Sequence, residues 1–204
     1  ASDKYIENAK KLGIDLSQVD FAIISHGHYD HGGGIKAFLE INKKAKIYMS
    51  KHACEPHYNA NGKYIGLDTS IKDSERIIFT ENSVNIDTGV KILCCNDKKP
   101  SYKNDSFGQS VLENGMYIED SYRHEQYLMI EENGKRALFT GCSHKGILNI
   151  VNWIEADYTV GTGSRGGDYV KVDRGGDNAA VVVVGVVARK LASAGNREER
   201  YLTV

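Results

Sequence analysis

A dense group of metal-ligand side chains follows a short apolar run near the start of the chain. Residues 21–24 are typical of a buried strand, and residues 25–34 read Ser-His-Gly-His-Tyr-Asp-His-Gly-Gly-Gly. Four potential ligands lie within six positions of this loop: His26, His28, Asp30 and His31. Neutral imidazole and carboxylate are ligands that divalent zinc accepts. A solvent-exposed polar turn gives no reason for this spacing at the end of a strand, so we predict a metal site.

The size and charge of the chain indicate an ordinary globular protein. Its 204 residues suit one domain, or one domain with an appendage, and 41% of them are apolar. Because the formal net charge is −1, no overall field attracts nucleic acid or an anionic membrane, and we expect neither partner. No apolar run has the length of a membrane span, and the polar start does not resemble a secretory signal.

Four cysteines lack the CxxC spacing, and two of them are adjacent. This usage favours reduced thiols over a disulfide framework and therefore a cytoplasmic setting.

Hydrophobic periodicity predicts alternating helices and strands, which favours a layered α/β fold. Helices are expected over 3–12, 35–42 and 147–154, and strands over 21–25, 46–50, 76–80, 83–86, 90–93, 116–119, 127–131 and 136–140. Asn133-Gly134 predicts a tight hairpin turn between the last two strands. The polar stretches 51–75 and 96–114 are expected to be surface loops that shape a pocket.

A second loop with ligand character follows the last predicted strand. Residues 141–146 read Gly-Cys-Ser-His-Lys-Gly, directly before a predicted helix. A histidine at a strand-to-helix junction is well placed to be a ligand, although a capping or core histidine fits the same position. The presence of the first histidine loop favours the ligand interpretation for His144.

The composition changes after residue 157. Residues 158–204 contain no histidine, cysteine or tryptophan, and they are rich in glycine and valine. The run 181–187 is typical of a buried strand. We therefore divide the chain into a core over 1–157 and an atypical tail over 158–204, which is either part of the same domain or a recombined segment.

The loop at 26–31 resembles the HxHxDH signature of the metallo-β-lactamase superfamily. Residues 138–149 resemble the GCSHxGIxN element of its dihydropterin-synthase-like, metal-dependent hydrolase branch. The resemblance covers roughly residues 3–157. It implies an αββα sandwich, here lacking its first strands and with an atypical C-terminal part.

The resemblance also implies a ligand set. His26 and His28 would bind a first metal, Asp30 and His31 a second, and His144 would add a further ligand. His124 is a rival for His144, because many superfamily members carry a histidine before the corresponding strand. Cys142 stands where many members place a bridging aspartate, and it is either a soft ligand or a buried structural thiol. The late histidine that the family normally supplies has no counterpart after His144.

The function implied by the family is that of a zinc-dependent hydrolase with one or two ions, iron and manganese being the alternatives. Hydroxide on the metal would attack a carbonyl or phosphoryl centre, oriented by Asp30 as the catalytic residue. The substrate would be a small molecule, pterin-related or a phosphoester. Two other functions remain open: a metal-binding or redox-responsive protein without turnover, and an iron-loaded oxidoreductase of the same superfamily.

Two further expectations concern surfaces. Four aromatic residues of the polar loops are candidates to stack on a planar substrate or to pack the loops down: Tyr58, Tyr64, Tyr102 and Phe107. A chain that lacks part of its sandwich would expose a sheet edge, so we also expect a homo-oligomer.

Overall fold

The structure, a computed structural model, describes residues 4–161 and the backbone of three short strands beyond them. Within residues 4–161 the chain forms, in order, α1 (Lys4–Lys11), β1 (Phe21–Ile23), α2 (Tyr29–Gly32), α3 (Ile35–Ile41), β2 (Lys46–Ser50), β3 (His57–Tyr58), β4 (Ile77–Thr80), β5 (Val84–Asp87), β6 (Val90–Leu93), β7 (Ser110–Glu113), β8 (Met116–Glu119), β9 (Tyr127–Glu132), β10 (Lys135–Phe139), α4 (Ile147–Trp153) and β11 (Tyr158–Val160). The later strands are β12 (Val172–Asp173), β13 (Val186–Ala188) and β14 (Leu202–Thr203). Short 3₁₀ turns cover Leu16–Gln18 and Thr69–Asp73.

Two large sheets carry the fold. The first has the order β14-β13-β1-β2-β4, with β1, β2 and β4 parallel to one another. The second has the order β12-β11-β10-β9-β6-β5, in which β5, β6, β9 and β10 form antiparallel pairs. A third, smaller sheet has the order β3-β7-β8.

Alternating side chains bury the facing surfaces of the two large sheets. Phe21 and Ile23 of β1 share a buried cluster with Ile92 of β6, Leu128 of β9 and Phe139 of β10. Because neighbouring residues of a strand point to opposite faces, the residues between these belong to other layers. This cluster is the core between the sheets.

Helices cover the outer faces of both sheets. Ile47 and Met49 of β2 pack with Ile35 and Phe38 of α3 and with residues of α1. On the other sheet, buried residues of α4 and of the segment after it pack against the strands, and that cluster contains Tyr127, Leu138, Ile150, Ile154 and Ala156. The layer order is therefore helix, sheet, sheet, helix, and the predicted αββα sandwich is confirmed.

Most of the predicted elements are present, and the hairpin turn has the expected geometry. Asn133 and Gly134 have φ angles of 51° and 71°, and β9 and β10 pair antiparallel on either side of them. The two polar stretches are not only loops, since β3 lies in the first and β7 in the second. These strands pair with each other and with β8 in the small sheet.

The strands of the tail extend both large sheets. β13 pairs antiparallel with β1, and β12 pairs antiparallel with β11, which itself runs parallel to β10. The predicted valine-rich run 181–187 thus overlaps β13 at residues 186 and 187. The rest of that run, 181–185, lies outside the described residues, as do 162–171 and 189–201. The division at residue 157 stays a prediction.

Two further observations concern the environment of the chain. In the part that the structure describes, none of the helices combines the length and apolar character needed to cross a membrane. The four cysteines all lie in this part, and no disulfide joins them.

Asn42 ties the end of α3 to the turn that precedes β1. Its buried amide nitrogen donates to the carbonyl oxygens of Leu16 and Val19 at 2.9 and 2.8 Å. Its side-chain oxygen accepts from the backbone amides of Lys44 and Ala45 at 2.9 and 2.7 Å. The side chain therefore holds two segments that lie next to β1 and β2.

We predict that Asn42→Ala lowers the free energy of unfolding by about 3 kcal/mol, because it leaves several buried backbone groups without partners. Urea unfolding followed by circular dichroism measures this. The matched control is Asn61→Ala on an exposed turn, which should change stability by less than about 0.5 kcal/mol. Equal effects of the two substitutions would contradict the role given to Asn42.

Candidate metal centre

The first histidine loop begins at the end of β1 and is buried against the backbone of a neighbouring turn. His26 and His28 are 0% and 4% exposed. Gly27 between them has no room for a side chain, because a Cβ atom there would lie 2.4 Å from the carbonyl oxygen of Ala53. His28 precedes the first turn of α2, which carries Asp30 and His31. Glycine at position 27 thus lets both histidines stay buried.

The second loop brings His144 to the same place from the other sheet. The ring centroid of His144 lies 4.8 Å from those of His26 and His28, and the ring of His31 lies 4.1 Å from that of His26. The structure therefore brings together the five residues proposed from the sequence, which we call the histidine cage: His26, His28, Asp30, His31 and His144.

Buried polar groups fix the position of His144. The carboxylate of Glu125, itself fully buried, accepts hydrogen bonds from the backbone amides of His144 and Lys145 at 2.7 and 3.0 Å. The ring of Tyr122 stacks on the imidazole of His144, with centroids 4.7 Å apart and an interplanar angle of 16°. An aromatic side chain therefore packs on one face of the His144 ring, and a carboxylate binds the backbone amide of the same residue.

Several ring nitrogens of the cage are buried without a hydrogen-bond partner. Among the described residues, six buried ring nitrogens lack a hydrogen-bond partner, and five of them belong to the cage: Nε2 of His26, Nε2 of His28, Nδ1 of His31 and both nitrogens of His144. The sixth is Nε2 of the neighbouring His124. A buried polar atom without a partner costs free energy, and native structures contain few of them. Such nitrogens are suited to coordinate a cation.

Burial also keeps these imidazoles neutral. Loss of solvation, followed by the proximity of the other histidines, lowers the pKa of His28 to about 2 and that of His26 well below its ordinary value. Loss of solvation likewise lowers the pKa of His144 to about 4. A neutral imidazole has the lone pair that metal coordination requires.

Asp30, His31 and Cys142 meet at the more open side of the cage. The Asp30 side chain is 55% exposed, and its Oδ2 lies 3.6 Å from Nε2 of His31. The same nitrogen lies 3.1 Å from Sγ of Cys142. The His26, Cys142 and His144 side chains also have ligand atoms within 4.8 Å of one another. Cys142 thus lies at the cage, where a soft ligand would be, and it is partly accessible.

A second buried group adjoins the cage and was not expected from the sequence. His28, His57, Asp120 and His124 have ligand atoms within 4.8 Å of one another. The sequence predicts a surface loop at His57 and does not mark Asp120 as a site residue. No local spacing marks either residue, since they lie 63 positions apart and meet only through the small sheet.

His124, the rival for His144, has a different environment. Its Nδ1 accepts a hydrogen bond of 2.8 Å from the backbone amide of Gly27, and its Nε2 lies 3.4 Å from Oδ2 of Asp120. One nitrogen of His124 thus has a hydrogen-bond partner and the other, Nε2, has none, whereas both nitrogens of His144 lack hydrogen-bond partners among the described residues. The geometry favours His144 as the cage residue.

The aromatic residues of the polar loops divide into two kinds. Tyr58 makes edge contacts with Tyr64 and Tyr117, at centroid distances of 5.6 and 5.0 Å. These tyrosines pack the small sheet against its own loop. Tyr102 and Phe107 are 49% and 40% exposed.

Comparison with known proteins agrees with this architecture. Residues 1–93 match the metallo-beta-lactamase superfamily. A solved structure of Tm1679, described as a metal-dependent hydrolase of the beta-lactamase superfamily, superposes with a TM-score of 0.60 and 30% sequence identity, over 78% of this chain and 62% of that one. The match and the superposition support the predicted resemblance to the metallo-beta-lactamase superfamily.

Two curated relatives come from Methanocaldococcus jannaschii. One is an uncharacterized protein, 30% identical over 66% of this chain and 52% of its own length. The other is 7,8-dihydropterin-6-methyl-4-(beta-D-ribofuranosyl)-aminobenzene-5'-phosphate synthase, 29% identical over 71% of this chain and 53% of its own. The chain therefore spans about half the length of these relatives, and the similarity to the synthase supports the predicted branch.

We predict that the metal-free protein loses stability as the pH falls from about 6.5 to about 4. In this window the unfolded chain binds protons at histidines with an ordinary pKa of about 6.5, whereas burial lowers the pKa of His124 and His144 to about 4 in the folded chain. Each such histidine contributes about 1.4 kcal/mol per pH unit. Urea unfolding in the presence of a chelator at several pH values measures the slope.

The control is the double variant His124→Gln, His144→Gln, in which two titrating groups are absent and the slope should be shallower. A free energy of unfolding that stays constant over this pH window in the parent chain would contradict the prediction.

Proposed function

We propose that this chain is a metal-dependent hydrolase whose histidine cage holds one or two divalent ions. The observation that supports this most directly is that five buried ring nitrogens of the cage have no hydrogen-bond partner among the described residues. Their burial without an ion would be costly, whereas coordination uses the same lone pairs. The resemblance to the metallo-beta-lactamase superfamily is consistent with this interpretation.

The donor set fits zinc best. It offers neutral imidazoles, the carboxylate of Asp30 and the adjacent thiol of Cys142. Zinc accepts nitrogen, oxygen and sulfur ligands. His26, His28 and His144 would hold one ion, while Asp30 and His31 would hold a second, with Cys142 beside it. Iron and manganese remain the alternatives, because imidazole and carboxylate also suit these ions.

A zinc ion in such a set supplies a Lewis acid and makes water nucleophilic near neutral pH. The residues of the chain orient the reacting groups and exclude solvent. Asp30, with just over half of its side chain exposed, lies where it can orient a water molecule or a substrate group at the open side. The buried rings on the other side exclude solvent, which strengthens electrostatic interactions with a bound anion.

We further propose a small-molecule substrate that is pterin-related or a phosphoester. The support is the 29% identity to the dihydropterin-named synthase. Tyr102 and Phe107, two of the exposed aromatic side chains, are the candidates to stack on a planar ring. The unbridged thiols are compatible with a reducing, cytoplasmic setting, and a homo-oligomer is part of the proposal.

Substitutions in the cage should lower the metal content of the purified chain. We expect His28→Ala and His144→Ala each to retain less than half of the parent zinc, measured by elemental analysis after dialysis. His52→Ala is the matched control, because His52 contacts Glu55 outside the cage and should leave the metal content unchanged. Parent-like zinc in both cage variants would refute the ligand assignment.

The zinc-loaded chain should hydrolyse at least one member of a panel of phosphodiesters, lactones and thioesters, and His144→Ala should reduce this turnover at least 100-fold. Steady-state assays with and without chelator measure it. Stoichiometric zinc without any turnover would instead indicate a metal-binding or redox-responsive protein. Visible absorbance with iron in the elemental analysis would indicate an oxidoreductase.

A further inference from the structure

Three side chains outside the cage form a series of polar contacts that ends on the first histidine loop. Nδ1 of His57 lies 2.8 Å from Oδ2 of Asp120, and Nε2 of His124 lies 3.4 Å from the same oxygen. Nδ1 of His124 then accepts the backbone N–H of Gly27 at 2.8 Å. Gly27 is the residue between His26 and His28.

All three side chains are buried and held from several directions. Their exposed fractions are 1% for His57, 2% for Asp120 and 0% for His124. Oδ1 of Asp120 also accepts the backbone amide of Tyr122 at 2.7 Å, so the carboxylate has partners at both oxygens. The orientation of this carboxylate is therefore fixed by groups of its own segment, Tyr122 and His124, and by His57 from a distant segment.

These three residues and His28 together have the composition of a cation site. Their hydrogen bonds argue against one. A neutral histidine has one lone pair, and the lone pair of His124 at Nδ1 is engaged by the amide of Gly27. Its proton is then on Nε2, which faces Asp120. Nε2 of His57 also faces an acceptor, the carbonyl oxygen of His52 at 3.4 Å. Coordination of a cation through Nε2 of His124 would require the proton to move to Nδ1, which would break the hydrogen bond from Gly27.

Gly27 is enclosed on two sides. The Ala53 carbonyl lies against its Cα on one side, at a distance that excludes any side chain. The ring of His124 receives its N–H on the other. Displacing either neighbour would let the peptide between the two histidines rotate, and both imidazoles would move with it.

We propose that His57, Asp120 and His124 form a positioning clamp, which fixes the Gly27 peptide and thereby sets the relative orientation of the His26 and His28 rings for a bound ion. Asp120 acts through His124, and His57 holds Asp120. The inference rests on the proposed function in that His26 and His28 are taken as ligands. Groups that orient metal ligands commonly change metal affinity by about 10–100-fold when they are removed.

The test uses the full chain with two variants and a control. Asp120→Asn keeps the size of the side chain but replaces one acceptor oxygen with an amide, and His57→Gln is a milder change to the same contact. Glu119→Gln, on the exposed neighbouring residue of β8, is the matched control for loss of a carboxylate. Co²⁺ and Zn²⁺ are the probes, with affinity measured by competition against a chelator.

We expect Asp120→Asn to weaken Zn²⁺ binding about 10–100-fold, to alter the Co²⁺ ligand-field spectrum and to leave the number of bound ions unchanged. His57→Gln should change the same quantities less, and Glu119→Gln should match the parent. In the metal-free protein, the Gly27 amide should exchange with solvent at least about tenfold faster in Asp120→Asn than in the control. This exchange rate reports on the clamp whether or not the chain turns over a substrate.

Three outcomes would overturn the proposal. Loss of one bound ion in Asp120→Asn and His57→Gln would make these residues ligands. Lower thermal stability with parent-like affinity, spectrum and Gly27 exchange would make the contact only structural. Unchanged Gly27 exchange in the variants would refute the clamp. Absence of metal binding by the parent chain would be a separate result, because it would refute the proposed function and not the clamp.

Discussion

Keeping several imidazoles neutral and away from water is the physical constraint on which the site depends. Six of the seven histidines lie in one buried region, and the pKa of His26, His28, His124 and His144 is lowered there, chiefly by loss of solvation. A buried imidazole with an unused lone pair is unfavourable in isolation. The surrounding structure must therefore hold these rings in place, and it does so with fully buried polar groups such as Glu125 and Asp120.

The sandwich supplies this support because its two sheets present one histidine loop each at the same edge. The first loop leaves β1 and the second leaves β10, and the core between Phe21 and Phe139 joins these strands across the sheets. Hydrogen bonds across the edge complete the link, since Gln126 donates to the carbonyl oxygens of Ile24 and Tyr48. The positions of the two loops are thus consequences of the apolar packing beneath them.

The sequence predicts those parts of the fold that depend on local patterns. Alternation marks β9 and β10, Asn133-Gly134 marks their turn, and the close spacing of His26, His28 and His31 marks the first loop. The sequence does not predict the short strands β3 and β7, because two to four residues are too few to show a periodicity. His57 and Asp120 could not be found at all, since their contact depends on a tertiary pairing between distant segments. The assignment of the cage residues as metal ligands stays a prediction.

The hydrogen bond from Gly27 to His124 spans 97 positions of the chain, and the contact between His31 and Cys142 spans 111. Contacts of this range require large loops to close, so we expect them to form late during folding. A partly folded chain would have the first histidine loop but no complete cage. An ion bound to the finished cage would consequently favour the fully assembled sandwich over any partly opened form, and it would protect both sheets from opening together.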